Sequence, residues 1–344
     1  MLIEPYRISH IVLLLQYSQS IYSALHQEVE FTYEDLNRSY LLYVPKNFNE
    51  KEETDLVIGL HGYTGTASGF ESQTTGGFSK SADRYGFIAI YPQGLHFNAI
   101  QNDASTYVSS WNDLASSKTN NLNGEICAVD ADIYPKYPNC KSSGRCSWSS
   151  CNNDLGFIKR IIDLTKDEYK INNIYVLGMS NGGMMAQALA CEYPNLFKGV
   201  VNVVGMQHKS LSCTPSEPIN FIIYGGAKDT TVPPVNIKSS DGYFYEPMNN
   251  TYNNWSTKFN CKNNSIIDFQ FKDRFTKNVA EFCDNNVKVI SLLNHDRGHY
   301  WPGITKSVGF CHTEDQSKMN YSLCNFSTDN DWGNQFILDM LFNL

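Results

Sequence analysis

The stretch IYVLGMSNGGMMA, residues 174–186, contains the feature of this chain that decides its fold. An apolar run of strand type ends at Gly178, Ser180 has the G-x-S-x-G spacing, and a helical pattern follows from Met184. A serine at a sharp strand-to-helix turn has an exposed hydroxyl and a strained backbone. The helix behind it points free N–H groups and a positive dipole end at the serine. We therefore predict that Ser180 is a nucleophile; the alternative is an ordinary strand–turn–helix crossover whose glycines serve packing.

Length and composition limit the class of protein. The 344 residues fit one large α/β domain, and 42% of them are hydrophobic, as in ordinary globular proteins. The net charge of −8 comes without a basic block, which argues against a nucleic-acid partner. Because no apolar run reaches about 18 residues, we expect no membrane-spanning helix.

The cysteines and the N-terminus predict a secreted protein. Ten cysteines are an even number, and none has zinc-ligand spacing, so we expect disulfides and no metal. Arg7, the apolar run 11–15 and the small residues Ser18 and Ser20 indicate a signal peptide over residues 1–24. A buried amphipathic helix is the alternative there. Six sequons are candidate glycosylation sites, at Asn37, Asn249, Asn254, Asn263, Asn320 and Asn325.

Short apolar runs alternate with helical patterns along the chain. The predicted strands are 40–44, 56–60, 87–91, 174–177, 200–204, 221–224 and 287–293. The predicted helices are 79–85, 155–169, 184–193 and 332–342. This alternation predicts a mostly parallel sheet covered on both faces. Two stretches lack periodicity, 112–151 and 236–264, and we expect functional loops there or, for the cysteine-rich one, a disulfide-pinned surface insertion.

Two later strands lead to residues that can complete a catalytic group. A serine hydroxyl becomes nucleophilic when a base takes its proton and a carboxylate orients that base. One apolar run ends shortly before Asp229, and a later one ends before His295 and His299. The order serine, acid, histidine at the carboxyl ends of strands predicts Ser180, Asp229 and His299 as a catalytic triad. His295 is the alternative base, and capping of a turn is the alternative role for Asp229.

The negative charge that develops in acyl transfer needs preset N–H donors. One predicted donor is the backbone N–H of Asn181, the residue after the nucleophile. The other is the N–H of Tyr63, in the loop that follows the predicted strand 56–60. We assign His61, in the same loop, a structural role.

Several motifs in this order resemble one family. They are Leu60-His61-Gly62-Tyr63-Thr64-Gly65-Thr66-Ala67, Ala82-Asp83-Arg84-Tyr85-Gly86-Phe87, Tyr91-Pro92, Ser109-Ser110-Trp111-Asn112, Asp154-Leu155-Gly156-Phe157-Ile158, Gly178-Met179-Ser180-Asn181-Gly182-Gly183-Met184 and Gly298-His299-Tyr300-Trp301-Pro302-Gly303. Over about residues 35–305 the chain resembles the secreted polyhydroxybutyrate depolymerase and feruloyl esterase group of α/β-hydrolases, which are serine esterases of the carbohydrate esterase family 1 type. The segment 146–151, CSWSSC, resembles eukaryotic secreted members in particular.

The resemblance implies an α/β-hydrolase fold, with a mostly parallel, doubly wound sheet flanked by helices. We expect one catalytic domain spanning 25–344, with 112–151 as a cysteine-rich insertion in it. It implies the same triad and oxyanion donors as the reasoning from the residues. It also implies action on carboxylic esters without metal or cofactor, and we expect a monomer.

The substrate remains open at the level of the sequence. The resemblance favours soluble hydroxycinnamoyl or acetyl esters of plant polysaccharide, or hydroxybutyrate esters, and we expect Trp111 and Trp301 to contact the substrate. Because the chain continues after His299 only into one predicted helix, we expect no separate polymer-binding domain and poor attack on solid polyester. A polyhydroxybutyrate depolymerase proper, a serine peptidase of the same fold and a catalytically silent binding protein are the alternatives.

Two positions depart from the family pattern, and neither is a member of the triad. Asn153 stands where the family has an aspartate, and Tyr224 stands where it has a histidine. The order of the cysteines suggests local disulfides, with Cys127, Cys140, Cys146 and Cys151 paired among themselves in one of three ways. The other suggested pairs are Cys191–Cys213, Cys261–Cys283 and Cys311–Cys324.

Overall fold

A computed structural model of the protein describes residues 26–73, 78–101, 104–113, 126–140, 144–304 and 332–344. The predicted signal peptide, the predicted Cys311–Cys324 pair and the sequons at Asn320 and Asn325 lie outside the described residues.

Strands and helices alternate through most of the described chain. The strands are β1 (His26–Tyr33), β2 (Leu36–Tyr43), β3 (Thr54–Leu60), β4 (Ile88–Pro92), β5 (His96–Gln101), β6 (Ala104–Ser109), β7 (Ile171–Met179), β8 (Gly199–Val203), β9 (Asn220–Gly226), β10 (Asn263–Phe271), β11 (Asp273–Glu281) and β12 (Val289–Asn294). The helices are α1 (Ala67–Gln73), α2 (Phe78–Tyr85), α3 (Asp154–Glu168), α4 (Asn181–Glu192), α5 (Met248–Lys258) and α6 (Trp332–Phe342), with a short 3-10 turn at Asp284–Asn286.

Ten of these strands form one sheet in the order β1-β2-β4-β3-β7-β8-β9-β12-β11-β10. The six central strands, from β4 to β12, are parallel to one another. Antiparallel pairs close both edges, β1–β2 on one side and β10–β11 on the other. Strands β5 and β6 form a separate hairpin. The predicted mostly parallel, doubly wound sheet is confirmed.

Helices cover both faces of the sheet because successive side chains of a strand point to opposite faces. In β3, Leu56 and Ile58 join the core on the side of α3, α4 and α5, whereas Val57 joins the core under α1, α2 and α6. All three side chains have no exposed surface. Burial on both faces explains why these strands appear in the sequence as uninterrupted apolar runs.

All seven predicted strands and all four predicted helices occur in the structure, with ends that differ by a few residues. The prediction that 236–264 is irregular was only partly correct, because this stretch contains helix α5. That helix is rich in asparagine, which is a poor helix former, so its polar sequence did not indicate a helix. It forms because Met248, Tyr252 and Trp255 bury one face against the core. Strands β10 and β11 were missed because β10 is exposed along most of its length and shows no apolar run.

Four disulfides lie within the described residues. Cys191–Cys213 and Cys261–Cys283 pair as predicted. The four cysteines of the insertion pair as Cys127–Cys146 and Cys140–Cys151, which selects one of the three possible arrangements. The described part of the insertion has no helix or strand of its own, and it docks on the chain near Tyr243 through an isolated β-bridge from Cys127.

A buried ion pair joins the sheet to α3. Arg38 on β2 donates to Asp154 at the start of α3 over 2.7 Å, and both side chains are almost fully buried. The guanidinium lies 3.7 Å from the centre of the Phe157 ring. The second carboxylate oxygen of Asp154 accepts the backbone N–H of Asn112 at 2.8 Å. Asp154 therefore anchors the segment after β6 as well as the edge of the sheet.

His61, which follows β3, is a structural residue. It is 1% exposed, its Nε2 accepts the N–H of Gly94 at 2.9 Å, and its Nδ1 donates to the carbonyl of Gly62 at 2.8 Å. Both ring nitrogens are therefore used by the backbone in the neutral form. Burial lowers the pKa of His61 to about 4.

Replacing Arg38 by Met should lower the free energy of unfolding by about 3–5 kcal/mol, because it leaves the buried Asp154 carboxylate without its cation. Urea unfolding at pH 7 measures this. Lys159→Met is the matched control, because it breaks the exposed Lys159–Asp163 pair on α3 and should change stability by less than about 0.5 kcal/mol. Equal effects of the two substitutions would contradict the assigned role of Arg38.

His61 should make the protein less stable as the pH falls. The unfolded histidine takes up a proton near its ordinary pKa of 6.5, whereas the folded one does so only near 4. The contribution of neutral His61 to the free energy of unfolding is therefore complete above pH 6.5. It is lost as the pH falls toward 4, and the loss is on the order of 3 kcal/mol. In His61→Gln, urea unfolding between pH 7 and pH 4.5 should show a shallower pH dependence than in the wild type. An unchanged dependence would show that His61 does not titrate in this way.

Candidate active site

Ser180 occupies the turn between β7 and α4 with a strained backbone. Its φ is +57° and its ψ is −124°, a conformation that costs energy for any residue with a side chain. The turn is held by the Ser180 N–H, which donates to the carbonyl of Val203 at 2.8 Å. A Cβ on Gly182 would lie 2.2 Å from the carbonyl oxygen of Leu60, so only glycine lets the chain after β3 pass this close to the turn.

The three residues of the predicted triad lie in one hydrogen-bonded row. His299 Nε2 lies 2.9 Å from Ser180 Oγ, and His299 Nδ1 donates to Asp229 Oδ2 at 2.7 Å. These residues come from the ends of β7, β9 and β12, which are parallel and therefore present their carboxyl ends at the same edge of the sheet. In this geometry His299 can accept the proton of Ser180 while Asp229 fixes the orientation of the ring.

Asp229 is held by the turn that follows it. Its Oδ1 accepts the backbone N–H groups of Thr231 and Val232, each at 2.9 Å, and its side chain is fully buried. These contacts are the turn capping that the sequence analysis gave as the alternative role of Asp229. An aspartate two and three residues before backbone donors is the pattern of an Asx turn. Asp229 thus caps a turn with one oxygen and holds His299 with the other, so the two readings of this residue are compatible.

His295, the alternative base, lies elsewhere. Its Nε2 is 2.8 Å from Thr276 Oγ1 on the antiparallel strand β11. It is therefore engaged on the sheet side of the loop, and His299 is the histidine that contacts Ser180.

Two backbone N–H groups flank Ser180 as the predicted oxyanion donors. Asn181 is the first residue of α4, so its N–H has no acceptor within the helix. Within the described part of the chain, the N–H of Tyr63 has no acceptor either. A Cβ on Gly62 would lie 3.2 Å from Ser180 Cβ, which brings the loop of Tyr63 directly beside the serine. This arrangement can stabilise a developing negative charge on an oxygen bound next to Ser180.

The structure is at odds with the predicted substrate contacts of Trp111 and Trp301. Both side chains have 0% exposure. The indole N–H of Trp111 donates to the carbonyl of His61 at 2.8 Å, and that of Trp301 donates to Asn334 on α6 at 2.8 Å. Each indole is therefore part of the protein interior and has no surface to offer a substrate.

Aromatic residues from the insertion pack beside the Tyr63 loop. The ring of Tyr63 makes edge contacts with Tyr134 and Trp148, with centroids 5.4 Å away in both cases. Tyr134 contacts Tyr243 in the same manner. Tyr63 and Tyr134 are only partly buried. Burial raises the pKa of Tyr63 far above its ordinary value, so its phenol remains neutral. Tyr63, Tyr134 and Trp148 therefore form an aromatic wall, next to one of the two predicted oxyanion donors.

The two departures from the family pattern leave the site intact. Tyr224 is fully buried, and its hydroxyl accepts from Asn294 Nδ2 at 2.9 Å. Asn153 caps α3, because its side-chain oxygen accepts the N–H of Gly156 at 3.0 Å. Neither residue contacts the triad.

Among the described residues, no group of three or more histidine, cysteine or acidic side chains is placed to hold a metal ion. In the same residues, no helix is long and apolar enough to cross a membrane.

Comparison with known proteins places this geometry in context. A family model described as the alpha/beta hydrolase fold matches residues 135–222, which include β7, Ser180 and α4. Acetylxylan esterase A of Emericella nidulans is 26% identical over 184 residues, covering 53% of this chain and 47% of that protein. Feruloyl esterase B of Neurospora crassa is 25% identical over 202 residues, covering 57% of this chain and 55% of that protein. The match thus spans about half the length of these curated relatives.

Solved structures agree on the architecture. The acetyl xylan esterase from Aspergillus awamori superposes with a TM-score of 0.50 at 17% identity, covering 80% of this chain and 93% of that chain. At this identity the likeness shows the fold alone. The chain has the α/β-hydrolase fold, and in sequence it is similar to fungal acetylxylan and feruloyl esterases.

Proposed function

We propose that this protein is a serine carboxylic-ester hydrolase that acts through an acyl-enzyme on acyl esters of plant polysaccharide. One observation carries the proposal: Ser180 Oγ, His299 and Asp229 Oδ2 form a continuous row of hydrogen bonds at a strained strand-to-helix turn. The sequence similarity to acetylxylan and feruloyl esterases supports the class of reaction.

The first half of the reaction transfers the acyl group to Ser180. As Ser180 Oγ attacks the ester carbonyl carbon, His299 Nε2 takes its proton, and Asp229 stabilises the resulting imidazolium. The carbonyl oxygen becomes an oxyanion, which receives hydrogen bonds from the N–H groups of Tyr63 and Asn181. His299 then gives the proton to the departing alcohol oxygen, and the acyl group remains on Ser180.

The second half releases the acid. Water takes the place of the alcohol, His299 Nε2 removes its proton, and the hydroxide attacks the acyl carbon. The same two N–H groups stabilise the second oxyanion. Its collapse returns the proton from His299 to Ser180 Oγ and frees the carboxylic acid, so the enzyme is regenerated without a cofactor.

The aromatic wall formed by Tyr63, Tyr134 and Trp148 bears on the substrate. The rings of Tyr63 and Tyr134 are partly exposed next to the oxyanion site, and they suit an aromatic acyl group or a sugar ring, which pack on aromatic faces and edges. This supports hydroxycinnamoyl or acetyl esters of a polysaccharide as substrates and is compatible with hydroxybutyrate esters.

We also propose secretion, with residues 1–24 as a signal peptide and 25–344 as one catalytic domain. Four disulfides among the described residues suit an oxidising compartment. The four sequon asparagines that the structure describes are all exposed, at Asn37, Asn249, Asn254 and Asn263. They are therefore accessible to glycosylation in a eukaryotic secretory pathway.

Ser180→Ala should lower kcat on p-nitrophenyl butyrate by at least about 10³-fold, because it removes the nucleophile and leaves the rest of the fold in place. The release of p-nitrophenol measures the rate. Ser210→Ala is the control, since it removes a serine hydroxyl from a turn outside the triad and should keep wild-type turnover. Undiminished hydrolysis by Ser180→Ala would refute the proposal.

A substrate panel then separates the ester classes. Methyl ferulate, acetylated xylan, hydroxybutyrate oligomers and polyhydroxybutyrate film are assayed with the wild type, using Ser180→Ala as the blank. Ferulate or acetylxylan as the best substrate supports the proposal. Preference for the polyester film would favour a depolymerase, and faster cleavage of a matched peptide bond would favour a peptidase. Failure of a fluorophosphonate probe to label Ser180 would favour a silent binding protein.

A further inference from the structure

The segment Ser109–Asn112 begins at the last residue of β6 and takes no part in the proposed chemistry. We propose that this segment, here called the clamp, sets the distance between the two oxyanion donors by holding the Tyr63 loop and Asn181 at the same time. The inference rests on the proposed function. It makes Trp111 a positioning residue, in place of the substrate contact that the sequence predicted.

The clamp holds the Tyr63 loop on both sides of the donor. The indole N–H of Trp111 donates to the carbonyl of His61 at 2.8 Å, two residues before Tyr63. The carbonyl of Ser109 accepts the N–H of Thr64 at 2.8 Å, one residue after Tyr63. The hydroxyl of Ser109 also donates to the carbonyl of Gly65. Thr64 has a φ of +58°, so these contacts also hold the loop in a conformation that a free chain rarely adopts.

The clamp holds Asn181 through two bonds. The N–H of Trp111 donates to Asn181 Oδ1 at 2.6 Å, and Asn181 Nδ2 donates to the carbonyl of Trp111 at 3.2 Å. The side chain of Asn181 thus pairs with the backbone of Trp111, while its own backbone N–H remains available as the other donor. One residue, Trp111, therefore contacts both parts of the oxyanion site.

The clamp itself is anchored on its far side. Asn112 N–H donates to Asp154 at 2.8 Å, and the Asn112 side-chain amide donates to the carbonyl of Asn152 at 2.8 Å. The hydroxyl of Ser110 accepts the N–H of Ser150 at 2.7 Å. The clamp thus transmits the position of α3 and of the disulfide-bonded insertion to the oxyanion site.

Burial makes these contacts consequential. Ser109, Ser110, Trp111 and Asn181 all have 0% exposure, so water cannot replace a lost partner. An oxyanion site works only when its donors are preset, because a donor that must reorient during the reaction gives up part of its stabilisation. Loss of one clamp bond should therefore weaken binding of the transition state more than binding of the substrate.

The test compares Trp111→Phe with Trp255→Phe. Trp255, which lies on α5, is equally buried. Its indole N–H also donates to a backbone carbonyl, that of Cys213 at 3.0 Å. Trp111→Phe should lower kcat on p-nitrophenyl butyrate by about 10- to 100-fold, with KM within about twofold of the wild type. Trp255→Phe should keep the wild-type kcat, whatever its effect on stability.

Two further readouts separate positioning from general loosening of the fold. The labelling of Ser180 by a fluorophosphonate should slow by a similar factor in Trp111→Phe. In that reaction His299 takes the Oγ proton, Oγ displaces fluoride from phosphorus, and the phosphoryl oxygen occupies the oxyanion site. The pH profile of kcat should not move, because the His299–Asp229 pair is untouched. A kcat for Trp111→Phe within twofold of the wild type, a loss equal to that of Trp255→Phe, or a shifted pH profile would overturn the inference.

A milder variant covers the case in which Trp111→Phe does not fold. Ser109→Ala removes the hydroxyl that bonds to Gly65 but keeps the Ser109 carbonyl that accepts from Thr64. It should slow both turnover and labelling without changing KM; unchanged rates would count against the clamp. Failure of the wild type to hydrolyse any ester in a Ser180-dependent way would refute the proposed function instead. In that case the labelling rates of the same variants still decide whether the clamp positions the donors.

Discussion

The structure depends on one close approach, between the backbone after β3 and the turn at Ser180. A side chain on Gly182 would collide with the carbonyl of Leu60, and one on Gly62 would press on Ser180. These glycines allow the Tyr63 loop to lie against the amino end of α4, so that two distant parts of the chain meet beside Ser180. The strained φ of Ser180 and the left-handed Thr64 are stable only because neighbouring segments hold them.

The parallel sheet explains why the functional side chains gather at one edge. Its central strands are buried on both faces and carry apolar side chains that interlock with helices, so polar chemistry is confined to the loops at the strand ends. Ser180, Asp229 and His299 follow three such strands. Two of the polar groups that enter the interior are held by specific partners: Arg38 pairs with Asp154, and His61 makes two backbone contacts. These buried contacts help to hold the loops of the site in position.

Much of this arrangement was predictable, and the failures have physical causes. Central strands and helices were predicted because burial gives them clear patterns. Helix α5 was missed because packing of Trp255 and its neighbours overrides the poor helix propensity of an asparagine-rich segment. The role of Trp111 was predicted wrongly because a tryptophan near a catalytic motif can stack on a ligand or fill the interior, and the local sequence is the same in both cases. Only its 0% exposure and its bond to His61 distinguish them.

The sequence by itself determined the fold class, the order of the three triad residues and two of the disulfide pairs, because these follow from local periodicity, from turn residues and from the proximity of cysteines along the chain. The tertiary structure alone decided which histidine faces Ser180, which pairing the insertion adopts and what Ser109–Asn112 does. Each of these depends on contacts between residues far apart in sequence. Trp111 and Asn181, for example, are separated by 70 positions. Such contacts form only when the whole sheet has assembled, and they leave no periodic pattern along the chain.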